Sequence, residues 1–356
     1  MDPADFYQTI TQKMIAALEN GTAPWIRPWR KTEGGQGSPF PVNAVTGRPY
    51  RGVNALTLSL HAISTGSADM RFATFRQAKD QGWGVKKGAT GLPVLKLVPP
   101  GETAARSQGE RPQERRERDG EEAVREKEKG NPPSNLLFPR IYHVFAAENL
   151  VGIPDFSPKD ETAGKSNLST DLPGGLCDKE RSYRVSNRLK DNLRVRLSHG
   201  GDRAFYNREE DRIRLPSQES FLSLEGYLGT LFHEFGHATG HESRLNRTFG
   251  VRGTPEYAFE ELVAELASLF VGMKTGVSPD GEHFDNHAAY IGSWVAALEN
   301  DRRALVRAAT LAQEACDLLM KNLEEGPGTN LREEPAEREG PASAPDPSSA
   351  SGPAVR

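Results

Sequence analysis

The five residues His233-Glu234-Phe235-Gly236-His237 constrain this chain more than any other stretch. The HExxH spacing has a use only on a helix, where residues four apart share a face and two imidazoles can reach one zinc ion. Taking ~100° per residue, the two histidines lie about 40° apart on a helical wheel. Leu224, Tyr227, Leu228, Leu231, Phe232, Phe235 and Ala238 cover the opposite arc. One face can pack on a core while the other holds an ion. Two histidines kept by ordinary hydrogen bonds are the plainer alternative.

Catalytic zinc takes three protein ligands and keeps one open position. A third donor is therefore expected elsewhere, and Phe259-Glu260-Glu261-Leu262-Val263-Ala264-Glu265 is the strongest source. Glu261 and Glu265 again lie about 40° apart, opposite Phe259, Val263, Leu266 and Phe270. We read Glu261 as the ligand and Glu265 as the acid that orients a histidine from behind; Glu260 points off that face. His241, one turn beyond His237, is the rival. The pattern HExxHxxGxxH would need a histidine where Ser243 stands, and three imidazoles on one straight helix fan out too far. His241 is therefore expected beside the pocket or at the helix end. In a hydrolytic site of this kind Glu234 takes the proton of the attacking water. His287 and Tyr290, on a late helix, are candidates for stabilising the oxyanion. A hairpin of 204–206 and 212–215 offers an edge on which an extended peptide can pair.

The N-terminal hundred residues carry twelve Lys/Arg against six Asp/Glu, together with three of the four tryptophans. Cations interleaved with aromatics suit a nucleic-acid surface; an ordinary solvated face is the alternative. Trp25, Trp29, Tyr50 and Trp83 can stack bases, and Arg27, Arg48, Arg51, Lys86 and Lys87 can meet phosphates.

Elements are expected over 3–20 (helix), 55–63 (helix), 72–78 (strand end into helix), 92–98 and 141–145 (paired strands). Beyond them come helices over 181–193, 222–241, 257–273, 287–298 and 303–323. Residues 101–135 are so rich in Arg, Glu and Gly, and so poor in apolar side chains, that no core can form there. They read as a disordered insertion, 155–178 as a linker and 324–356 as a disordered tail. The chain thus divides into 1–154 and 179–323. Cys177 and Cys316 are far apart and outside any ligand spacing, which fits a reducing compartment. No run of about 18 apolar residues occurs, and the first residues lack a signal-peptide pattern, so a cytoplasmic protein without a membrane partner is expected.

Taken together, these motifs resemble the ArdC-type antirestriction family, related to the N-terminal part of plasmid-transfer primases. The resemblance is carried by 24–29 (PWIRPW), 43–54 (NAVTGRPYRGVN), 86–88 (KKG), 144–145 (VF), 211–216 (DRIRLP), 233–247 (HEFGHATGHESRLNR), 260–265 (EELVAE) and 288–291 (AAYI) with Trp294. It implies an α+β chain: a small N-terminal domain that binds single-stranded DNA and a C-terminal zincin-like metallopeptidase domain. It also implies protection of incoming plasmid or phage DNA from restriction. Three functions follow as alternatives. The first is a zinc peptidase tethered to DNA and acting on an unidentified protein or peptide. The second is a non-proteolytic DNA-coating protein with structural zinc, and the third an effector delivered with the DNA.

Overall fold

Helix α1 (Pro3–Glu19) begins where the Asp2 carboxylate accepts from the Asp5 amide at 2.8 Å, and it buries Phe6, Ile10, Met14 and Leu18 along one stripe. These four side chains are part of a core that also contains Leu298 and Leu305, near the other end of the chain. The computed structural model describes residues 2–19, 40–99, 137–156, 178–277 and 291–325. The insertion at 101–135, most of the expected linker and nearly all of the tail lie outside them.

Strand β1 (Val42–Asn43), α2 (Gly52–Thr65), β2 (Arg71–Thr74), α3 (Phe75–Asp80) and β3 (Gly84–Val85) follow, then β4 (Leu92–Val98), β5 (Phe138–Ala146) and β6 (Leu150–Val151). Four strands form one sheet in the order β1-β2-β5-β4; β1 runs parallel to β2 and the other pairs are antiparallel. β4 and β5 pair from Leu92↔Val144 to Val98↔Phe138, so the two strands flanking the charged insertion meet as expected. β3 and β6 make a separate two-stranded ribbon.

Helix α2 starts three residues before the expected Ala55. Its Asn54 amide donates to the Leu95 carbonyl at 2.7 Å, and its oxygen accepts from the Leu95 N–H at 2.8 Å. A side chain thereby satisfies the open edge of β4, where backbone groups would otherwise face outward.

In the C-terminal half, α4 (Asp178–Leu193) leads into β7 (Arg196–His199), β8 (Phe205–Asn207) and β9 (Arg212–Leu215), arranged β7-β9-β8 with β8 on an edge. Then come α5 (Leu224–Ala238), α6 (Pro255–Thr275), α7 (Ile291–Asn300) and α8 (Ala304–Glu324). Ser223 caps α5, its hydroxyl accepting from the Gly226 amide at 2.8 Å; Thr254 caps α6, with Pro255 in the first turn. From Glu260 to Met273 α6 is buried on every side, packed against α5, α7 and α8.

The two halves share this core. Val53, Ala55 and Leu56 of α2 join it, the Gln313 amide oxygen accepts from the Gly52 N–H at 3.0 Å, and Arg51 pairs with Asp317 on α8. Among the described residues no helix is long and apolar enough to cross a membrane.

Candidate metal centre

The site lies where α5 crosses α6. Gly236, between the two histidines, makes the crossing close: a Cβ there would meet Ala264 Cα and O at 3.2 Å each. The Ser268 hydroxyl donates to the Gly229 carbonyl at 2.9 Å and ties the same two helices again, one turn further along α6.

Across this contact His233, His237 and Glu261 each offer a donor atom, all within 4.8 Å of one another and all buried. The two Nε2 atoms are 3.1 Å apart; Glu261 Oε2 is 3.4 Å from His233 Nε2, and Oε1 is 3.6 Å from His237 Nε2. Neutral imidazoles cannot bond lone pair to lone pair, so the pair requires a proton or a cation between them. A divalent ion fits the donor set of two nitrogens and a carboxylate. Glu265 Oε2 stands 3.3 Å from His233 Nδ1, where the wheel put an orienting acid.

Glu260 differs from expectation. It does not point away from the site but is 3% exposed, with Oε1 3.4 Å from His237 Nδ1. A wheel gives the direction of a Cβ and ignores both side-chain reach and third elements. Here the loop after α5 brings in Arg247, whose Nη2 and Nε donate to Glu260 at 2.6 and 3.0 Å.

Burial alone pulls both imidazoles down, but the carboxylates prevail: Glu261 and Glu265 push His233 up to about 9, and Glu261 with Glu260 pushes His237 up to about 10. Burial works to raise Glu260 and Glu261 in turn. His237 and Arg247 hold Glu260 below its ordinary value, and His237 with His233 holds Glu261 well below the usual carboxylate range.

A cavity of about 360 Å³ opens over the three donors and Glu234, walled by Ala204, Phe205 and Tyr206 of the edge strand region. Arg244 fixes that wall. It donates to Asp211 and to the Ala238 and Leu193 carbonyls, and Asp211 accepts from the Tyr206 hydroxyl at 2.7 Å. Tyr257 also lines the cavity, four residues before Glu261 on α6. The same wheel that selected Glu261 and Glu265 would have found it.

Helix α5 ends at Ala238, short of the expected His241. His241 therefore leaves the helical face and closes the following turn, its Nδ1 2.8 Å from the Ser243 hydroxyl and accepting from the Ser243 amide. It is not among the cavity residues. His287 and Tyr290 lie outside the described residues, as do Trp25, Arg27 and Trp29.

The remaining N-terminal candidates do not share one role. Arg48 and Lys87 are exposed; Tyr50 packs edge-on against Phe72, and Trp83 packs half-buried beside Ala73, Ala78 and Leu150. The Lys86 ammonium donates to the Glu148 carbonyl at 2.6 Å, and Arg51 is drawn to Asp317. Sequence order gives no sign of partners so distant.

Comparison with known proteins finds matches in two stretches of the chain. Residues 185–311 match a zincin-like metallopeptidase family, and residues 4–145 match the N-terminal domain of anti-restriction factor ArdC. Two DNA primases TraC of Escherichia coli are 33% and 34% identical over 88% of this chain, which spans only 20% and 27% of their lengths. An uncharacterized protein, y4eC, of Sinorhizobium fredii (strain NBRC 101917 / NGR234) is 31% identical over 88% of this chain and 91% of its own. Crystal structures of antirestriction protein ArdC from plasmid R388 superpose over about nine-tenths of this chain and 98% of theirs. The Mn(II)-bound form gives a TM-score of 0.64 at 31% identity, the metal-free form 0.65 at 32%.

Proposed function

The chain belongs to the ArdC antirestriction family and carries a zincin-like metallopeptidase domain, and from that premise we propose that it is a zinc peptidase which binds single-stranded DNA. The observation that carries the peptidase reading is the cluster of His233, His237 and Glu261 under a cavity that also contains Glu234. His233 and His237 would give Nε2 and Glu261 a carboxylate oxygen to one divalent ion. Two nitrogens, one oxygen and an open position suit catalytic zinc, and manganese is the alternative that a relative solved with Mn(II) raises. Such an ion, when bound, acidifies water and polarises a substrate carbonyl.

The protein's own groups do the rest. Glu234 accepts the proton of the attacking water and hands it to the departing amine. Glu265 holds the His233 ring through Nδ1. The outer edge of β8 offers backbone groups to an extended peptide, as sheet edges do in peptide recognition. Tyr257 borders the space where a carbonyl would lie, and His287 and Tyr290 remain candidates for the oxyanion.

For the DNA-binding half, support comes from the exposed Arg48 and Lys87 and from the excess of cations over acids in residues 1–100. In a plasmid- or phage-borne setting, the bound strand would hold the peptidase near the proteins that attack incoming DNA.

The test is Glu234→Ala. It should keep the ion and the DNA affinity while losing peptide hydrolysis and protection from restriction. Full protection by this variant would instead favour a DNA-coating protein with structural zinc.

A further inference from the structure

One buried charge pair has no part in ligation or proton transfer. Arg247 is 6% and Glu260 3% exposed. A buried ion pair is stable only when all its protons and lone pairs are met, and apolar residues of similar volume usually do as well. Stability alone thus gives no reason to keep this one. Four of the five guanidinium N–H donors are met nonetheless. Besides Glu260, Arg247 Nη1 donates to the Thr239 hydroxyl and Nη2 to the Gly236 carbonyl, both at 2.7 Å. Room for the guanidinium is built in at Gly240, where a Cβ would lie 3.0 Å from Arg247 Cζ and 2.7 Å from the Phe249 ring.

What the pair uniquely supplies is a carboxylate fixed against the back of one imidazole. Glu260 Oε1 sits 3.4 Å from His237 Nδ1 while Nε2 of the same ring faces His233 and Glu261. We propose that Arg247 and Glu260 form the positioning device of His237: Arg247 fixes Glu260, and Glu260 accepts a hydrogen bond from Nδ1–H, which keeps the proton on Nδ1 and leaves Nε2 with its lone pair toward the ion. His233 has its own counterpart in Glu265. The proposal rests on His237 being a metal ligand.

The experiment compares the 356-residue wild type, Glu260→Gln and the double variant Arg247→Met/Glu260→Gln. Zinc affinity is read by competition with a chromophoric chelator, ligand geometry by the visible spectrum of the cobalt(II)-loaded protein, and folding by circular dichroism without metal. Loss of a group that orients a ligand weakens zinc binding by about 10–100-fold. Both variants should show this together with shifted cobalt bands, the double one in a folded protein because it orphans no charge. A folded double variant that holds zinc within about two-fold of wild type, with an unchanged cobalt spectrum, overturns the positioning role. Failure of that variant to fold also counts against it, since the fold itself would then need the pair. Wild type that binds no zinc overturns the metal-centre reading instead.

Discussion

Gly236→Ala adds one methyl group at the point where the ligand-bearing helices touch. Its carbon would start 3.2 Å from Ala264 Cα and O. Such atoms rest at about 3.5–4.0 Å, so α5 and α6 must part by roughly 0.3–0.8 Å. Two energies oppose each other. Alanine is favoured over glycine in a helix interior by about 1 kcal/mol, while overpacking a close-packed core costs about 1–3 kcal/mol. The obstruction is backbone in the stretch of α6 buried on all sides, which cannot swing aside, so a net loss of about 1 kcal/mol is expected. The ion is less forgiving. Donor distances hold to about 0.2 Å, and the histidines ride on α5 while Glu261 rides on α6. Zinc affinity should therefore fall by about 10-fold or more, out of proportion to the loss of fold. Denaturant titration in chelator measures stability, and competition titration measures the ion. Gly292→Ala serves as control, since its Cβ meets nothing within 4 Å among the described residues. If Gly236→Ala gains stability and binds zinc as tightly as wild type, the helix contact does not set the ligand geometry.

Other perturbations test other parts. In the metal-free protein both histidines titrate above their ordinary 6.5, so their contribution to stability is complete below that pH and fades as pH climbs through about 9 and 10. The thermal midpoint in chelator should fall over this window, less so in His233→Gln/His237→Gln; equal falls in both proteins would contradict the assignment. An ion must displace the same protons, so zinc affinity should rise across that range, and a flat titration would count against ligation. Arg244→Met leaves Asp211 without its guanidinium; because the Asp211 carboxylate is partly open to water, which screens the lost charge, roughly 1–2 kcal/mol of stability should go in denaturant unfolding. Oligonucleotide binding by the full chain should weaken linearly on a log–log plot against salt, each phosphate neutralised adding about 0.7 to the slope. No binding at low salt would refute the DNA reading.

Periodicity revealed what neighbours in sequence decide. The short apolar run over 92–98 coincides with β4, and the 3.6-residue repeat marks α5 and α6 with the polar positions that face each other across their contact. Distant partners decided the rest. Glu260 is drawn inward by Arg247, Arg51 toward Asp317, and Asn54 toward a strand edge 41 residues away. That α1 and α2 complete a core with α7 and α8 is likewise a contact between chain ends, which no local window contains. α5 ends before the expected His241 because, although Thr239-Gly240-His241 continues the polar spacing, the chain turns there to bring Arg247 beneath the helix; the Arg247 amide donates to the Gly240 carbonyl at 3.0 Å.

The metal content of the 356-residue chain, set beside that of Glu261→Ala, probes the arrangement of the three donors most directly. One divalent ion per wild-type chain, lost from a Glu261→Ala protein that is still folded, is the result expected. Wild type without a bound ion, or a variant that retains it at full occupancy, would contradict the account.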